Sequence, residues 1–175
     1  MFASKTSKML MTLERYKYQK KNVIVFKPKI DTRYSDDHIV SHLGWKIEAI
    51  TVESGSEMLS SLQTLSVKPD VVAVDEMFMI NGSGEVLIWL YRQLGMSIVV
   101  STLDLSYTGK PFDEVTQILP WATLVEKCTA VCTVCGEDAR YTHKKVTNDE
   151  EILVGGAEIY EPRCFSHHLM VNKRR

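Results

Sequence analysis

Along the first two thirds of the chain, short runs of aliphatic and β-branched residues alternate with longer stretches whose apolar positions recur every three or four residues. The first long stretch, residues 6–20, sets Met9, Leu13 and Tyr16 on one helical face with Leu10 beside them and lysines over much of the rest. Val23, Ile24, Val25 and Phe26 form a run too short for a helix; it fits a strand buried on both faces, with Pro28 as its stop. The polar residues 31–37 read as a loop, 47–52 as a short strand and 57–65 as a short helix. Val71, Val72, Ala73 and Val74 make a second buried strand that leads directly into Asp75 and Glu76. Gly82, Ser83 and Gly84 then break the chain. A helix is predicted at 85–94, with Val86, Trp89 and Leu90 on one side and Gly95 as its C-cap. Residues 98–102 predict a third buried strand, and 112–119 a helix before Pro120.

Buried strands alternating with amphipathic helices predict an α/β fold, a parallel sheet with helices on both faces. Ligands of such sheets sit at the carboxyl ends of the strands, where Asp75, Glu76 and Asp104 fall. From about residue 127 the texture changes to short segments, cysteines and the Gly155-Gly156 pair. The expected organisation is therefore an α/β domain over 1–126 and a small lobe over 127–175, which 175 residues accommodate. Lysine plus arginine number 21 against 22 acidic residues, a net charge of −1, so nothing drives the chain toward a polyanion. No apolar run approaches the roughly 20 residues that span a bilayer, and Lys5, Lys8 and Arg15 interrupt any signal-peptide pattern at the start. These features predict a cytoplasmic protein with neither nucleic acid nor membrane as partner.

Three groups of residues point to chemistry. Lys5-Thr6 at a helix start supplies the lysine and hydroxyl with which a phosphate-binding loop reaches β/γ oxygens and magnesium. Asp75-Glu76 after a buried strand offers one carboxylate for magnesium and a second to take a proton from a hydroxyl nucleophile. All four cysteines fall in the last third of the chain, a clustering that favours metal over disulfide. Cys132-Thr-Val-Cys135 and Cys164-Phe-Ser-His167 are two pairs of ligands with the spacing of zinc knuckles. Cys128 and His168 compete with them as ligands. Four protein ligands leave no open position, so such a zinc is structural.

In order along the chain, Met1-Phe2-Ala3-Ser4-Lys5-Thr6, Asp31-Thr32-Arg33-Tyr34-Ser35, Val74-Asp75-Glu76 and Leu103-Asp104-Leu105-Ser106-Tyr107 are followed by Lys110-Pro111-Phe112. Then come Thr129-Ala130-Val131-Cys132, Tyr141-Thr142 and Gly155-Gly156-Ala157-Glu158-Ile159-Tyr160, ending in the Cys/His pair. This series resembles the cellular and viral type II thymidine kinases. The resemblance implies a P-loop NTPase-like sheet and a zinc lobe whose lasso covers the thymidine site. It also implies ATP-dependent phosphorylation of deoxythymidine to thymidine monophosphate, with ATP, Mg2+ and structural zinc, by a homo-oligomer (dimer or tetramer). Carried over residue by residue, Glu76 is the general base. Met1, Phe2, Ala3, Ser4, Lys5 and Thr6 serve ATP together with Asp31, Thr32, Arg33 and Asp75, with Thr6 and Asp75 holding magnesium. Thymidine falls to Met1, Leu103, Tyr107, Thr142, the backbone of Glu151, Ile152, Leu153, Val154 and Gly155, and Tyr160.

Against the family pattern, Ser4 stands where the loop has its second glycine, a substitution that a helical backbone would tolerate. The aromatic after the acidic pair is Phe78, displaced by one position. The chain begins inside the loop, so the 1–126 domain is expected without its first strand and with weak activity in this form. The alternative this raises is a truncated or degenerate, non-catalytic relative that binds nucleotide or assembles with intact subunits. A zinc-ribbon nucleic-acid module is disfavoured by the near-neutral charge.

Overall fold

The computed structural model describes residues 2–31, 38–40, 44–147 and 152–172. In chain order they form α1 (Lys5–Tyr18), β1 (Val23–Pro28), β2 (His38–Val40), β3 (Lys46–Glu48), β4 (Ile50–Val52), α2 (Gly55–Gln63) and β5 (Val71–Asp75). There follow α3 (Ser83–Leu94), β6 (Ser97–Ser101), α4 (Asp113–Ile118), β7 (Ala130–Val131), β8 (Asp138–Ala139), β9 (Tyr141–Lys144), β10 (Tyr160–Arg163) and α5 (Phe165–Asn172). Single 3-10 turns occupy Met77–Met79 and Leu119–Trp121.

Period-two alternation along the buried strands builds two cores, one on each side of the sheet. Ile24, Phe26, Val72 and Val74 face Met58 of α2, Leu87 and Leu90 of α3, and Val115 of α4. Val23, Val25, Val71 and Ala73 face Met9, Leu10 and Leu13 of α1. The central sheet runs β4-β1-β5-β6 with every pairing parallel, as the sequence predicts. Its register sets Phe26 beside Val74 and Asp75 beside Ser101, so the ends of β1, β5 and β6 lie together at one edge. That edge carries the polar residues.

Several local expectations change. β1 does end at Pro28, but the proline is itself paired, opposite Val52, and the Lys29 N–H donates to the Val52 carbonyl at 2.9 Å. The strand predicted at 47–52 divides: β3 pairs antiparallel with β2, whereas β4 joins the main sheet. Gly82-Ser83-Gly84 does not break the chain. Gly82 (φ +74°) is the N-cap of α3, and Ser83 and Gly84 lie inside the helix. The Glu114 carboxylate of α4 accepts the N–H groups of Gly82 at 2.7 Å and Gly84 at 2.6 Å, so the helix start is capped from a distant segment. Trp89 is 46% exposed, because the buried stripe of α3 runs through Ser83, Gly84, Leu87 and Leu90. β2 and α5 had no strong periodic signal. Of the 31–37 loop, only Asp31 is described, and it is buried. None of the described helices is long and apolar enough to cross a membrane.

Candidate active site and metal centre

Chain entry into α1 uses left-handed backbone at Phe2 and at Ser4, both with φ +55°. Ser4 is therefore not helical; it is the N-cap, and its carbonyl accepts the Lys8 N–H at 3.0 Å. A non-glycine residue in that conformation carries strain of about 1–2 kcal/mol. In the first turn of the helix, the Thr6 hydroxyl donates to the Asp75 carboxylate at 3.2 Å. β5 delivers Asp75 to this point, and the chain then reverses sharply through Glu76 (φ +48°), whose N–H donates to the other Asp75 oxygen at 3.1 Å. Asp75 is almost fully buried. Burial, then the neighbouring Glu76 charge, push its carboxyl up to about 6, against the opposing pull of Ser101, Lys5 and Thr6. A buried carboxyl beside a hydroxyl is a hard-oxygen donor pair of the kind magnesium takes.

Around this pair a single pocket collects the residues from Phe2 to Thr6 together with Asp31, Asp75 and Glu76. Leu103 and Tyr107 from the loop after β6, with Thr142 of β9, form a further part of its wall. Ile152, Leu153 and Gly155, a strap of chain ahead of β10, also line it, as does Tyr160 of β10. The Tyr160 hydroxyl donates to the Leu153 carbonyl at 2.9 Å and accepts its N–H at 3.3 Å, which fixes the strap. Val154 does not line the pocket. Met1, Thr32, Arg33 and Glu151 lie outside the described residues.

Lys27, Phe78, Met79 and Phe112 also line the pocket. The rings of Phe78 and Phe112 lie 4.5 Å apart at 36°, and the Phe78 N–H donates to the Thr102 hydroxyl at 3.2 Å. The displaced aromatic thus still faces the cavity. Sequence reasoning missed Lys27, which is 4% exposed; the usable signal was a lysine directly continuing the apolar run 23–26.

The metal-ligand candidates converge independently. The ligand atoms of Cys132, Cys135, Cys164 and His167 all lie within 4.8 Å of one another. The sulfurs of Cys135 and Cys164 are 3.8 Å apart, and His167 Nδ1 is 3.1 Å from Cys164 and 3.7 Å from Cys132. Tetrahedral zinc with Zn–S near 2.3 Å requires sulfurs about 3.8 Å apart. The first pair turns between β7 and β8, where the Gly136 N–H donates to the Cys132 carbonyl at 3.0 Å. The second sits at the start of α5, whose first turn brings His167 back over Cys164. Burial resists ionisation of Cys132, but backbone N–H groups of Cys164, Val134 and Cys135 outweigh it and bring the thiol down to about 6. That favours the thiolate a metal binds. All four cysteines are free of disulfides. Cys128 and His168 stay outside the cluster; His168 stacks on Tyr141, with centroids 4.9 Å apart.

The family model described as thymidine kinase matches residues 1–168. With the match extending over nearly the whole chain, this protein belongs to the thymidine kinase family.

Proposed function

We propose that this chain transfers the γ-phosphoryl group of ATP to the 5′-hydroxyl of deoxythymidine, giving thymidine monophosphate. The observation that carries the reading is the Thr6–Asp75 hydrogen bond, which joins the start of α1 to the acidic pair inside the pocket that Tyr107 and the strap enclose. Membership of the family supports phosphorylation of thymidine in general terms. In this reading Lys5, with Arg33, neutralises the transferring phosphate oxygens, the main requirement of phosphoryl transfer. Phe2, Ala3 and Ser4 approach the phosphates with Asp31. Glu76 accepts the proton of the 5′-hydroxyl, and its position next to Asp75 keeps base and phosphate site within one residue of each other. Leu103, Tyr107, Thr142, the strap and Tyr160 hold the nucleoside. Thr6 and Asp75 would hold magnesium, which when bound neutralises charge on the β- and γ-phosphates. Zinc at the Cys/His cluster is structural, since its four ligands leave no open position. The organisation we propose is a nucleotide-binding part over 1–126 and a zinc lobe with lasso over 127–175, in a cytoplasmic homo-oligomer.

Glu76→Gln tests the base. Turnover should fall by roughly 10²–10⁴-fold, the contribution of a positioned base, while thymidine affinity changes only a few fold. Near wild-type turnover would remove Glu76 from the mechanism. A wild-type protein that binds thymidine yet transfers no phosphoryl group would favour the non-catalytic relative.

A further inference from the structure

Lys144, the last residue of β9, is 2% exposed, an unusual burial for a lysine. Its ammonium lies over the ring of Tyr107, 4.7 Å from the centroid. Tyr107 lines the pocket and Lys144 does not, so the lysine touches this wall from outside the cavity. The backbone under Tyr107 is already fixed. Ser106 is buried, its N–H donates to the Lys110 carbonyl at 2.8 Å, and the Gly109 N–H returns to the Ser106 carbonyl at 3.0 Å. What that turn leaves open is the orientation of the ring. Lys144 is also the register partner of Tyr160, whose hydroxyl makes both hydrogen bonds to Leu153 of the strap. One residue therefore touches the aromatic wall with its side chain and, through its backbone, the strand that holds the cover.

We propose that Lys144 is a positioning residue for the nucleoside site, fixing the Tyr107 ring and keeping wall and strap in register. An apolar side chain would fill a buried position of this kind at least as stably as an ammonium. The charge is useful where a directional contact is needed, and a cation over an aromatic face supplies one. A ring held in its bound orientation before ligand arrives spares the ordering that binding otherwise requires. Lys144 acts in the ground state of binding, not on the reacting atoms. The inference rests on the thymidine reading of the pocket for its ligand, but its structural half can be read without one.

The experiment compares wild type, Lys144→Met and Lys144→Arg, each also in the Tyr107→Leu background. Lys144→Met should raise the thymidine KM about 5–20-fold, the range of a desolvated cation–π contact, with kcat within a few fold. Lys144→Arg should restore most of the loss, because guanidinium also stacks on aromatic faces. In the Tyr107→Leu background the KM effect of Lys144→Met should shrink to within a few fold. Amide hydrogen exchange without ligand should speed up over residues 104–110 and 152–156 in Lys144→Met but not in Lys144→Arg. Should Lys144→Met fail to fold, Lys144→Gln carries the same expectations. Equal losses in the two Tyr107 backgrounds, or unchanged exchange in both segments, would overturn the proposal. Wild type that binds no thymidine by calorimetry would overturn the reading of the pocket, while the exchange comparison would still decide the role of Lys144.

Discussion

Ser4 shows how much one backbone angle changes. Serine at a family glycine position is harmless in a right-handed helix, but Ser4 is the residue before the helix and has φ +55°. Relief of about 1–2 kcal/mol of left-handed strain is partly offset by the extra unfolded-state freedom of glycine, roughly 0.5–1 kcal/mol. Ser4→Gly should therefore raise stability by about 0.5–1 kcal/mol, measured by denaturant unfolding; a loss of stability would mean that the serine side chain makes a compensating contact. Single residues were otherwise legible where the motif is local. Thr6 meets Asp75 and the two knuckles converge on one cluster, as their spacing suggests, and the geometry leaves Cys128 and His168 outside that cluster. Phe112 and Lys144 escaped because each reaches the pocket or its wall through tertiary placement that no neighbour in sequence announces.

At the scale of elements, strands with four consecutive apolar residues were read correctly because burial on both faces leaves no other use for such a run. The 47–52 segment was not, since its two halves pair with different partners: β3 has exposed Lys46 and Glu48, whereas β4 ends on buried Val52. The glycines around α3 misled for a related reason, their cap being Glu114 of α4. This junction also makes Gly55 indispensable. Its N–H donates to the Asn81 carbonyl at 2.9 Å, and a Cβ there would collide with the Gly82 carbonyl oxygen. Gly55→Ala should cost about 1–3 kcal/mol through forced backbone movement; an unchanged melting temperature would show that the α2–α3 contact yields freely. At the opposite edge of the sheet, Asp70 accepts the Asn22 N–H at 2.9 Å, and its carbonyl accepts the Ser97 N–H at 2.9 Å, linking the starts of β1, β5 and β6. The Asn22 N–H, with help from the Lys21 ammonium, holds the Asp70 carboxyl below the usual carboxylate range despite some desolvation. Its folded pKa is depressed, so its stabilisation is complete above the unfolded value, about 3.9, and disappears as pH falls through the folded one. Asp70→Asn should flatten the acid limb of a stability-versus-pH curve below about pH 4, and an unchanged limb would assign acid unfolding to other carboxylates.

At the scale of the molecule, the Cys/His lobe and the α1 end of the pocket share a core. Among the described residues, Ala130, Cys132 and Ala139 are the ones buried in the lobe's own cluster, and Cys164 and Ala3 pack on it. Three small side chains bury too little apolar surface to order two hairpins and a helix, so a metal held by the Cys/His cluster would supply folding free energy here. The ion pairs that tie the 122–129 segment to the α/β part, Lys8 with Glu126 and Lys127 with Asp104, are solvent-exposed and contribute little. Ala3 thus connects two places that are distant in sequence: it lines the pocket where the chain enters α1, and it packs against the cluster that contains Cys132. Without zinc, the cluster's sulfurs repel one another as they ionise. The Glu137 N–H favours the Cys135 thiolate, yet burial and the nearby Cys132 and Cys164 sulfurs move that thiol up. Loss of the metal should therefore loosen the lobe first and the residues around Ala3 next, leaving the parallel sheet with its two separate cores largely intact. Purified protein should contain close to one zinc per chain, and Cys135→Ser or a strong chelator should remove it. Hydrogen exchange should then accelerate across 128–144 and 160–168 and at residues 2–6, with weaker binding of an ATP analogue, while the amides of β1 and β5 stay protected. Cys128→Ala should retain the metal. A zinc-free protein whose lobe and α1 entry exchange as slowly as before would refute both the metal assignment and the coupling through Ala3; a lobe that loosens while residues 2–6 and ATP affinity remain unchanged would refute the coupling alone.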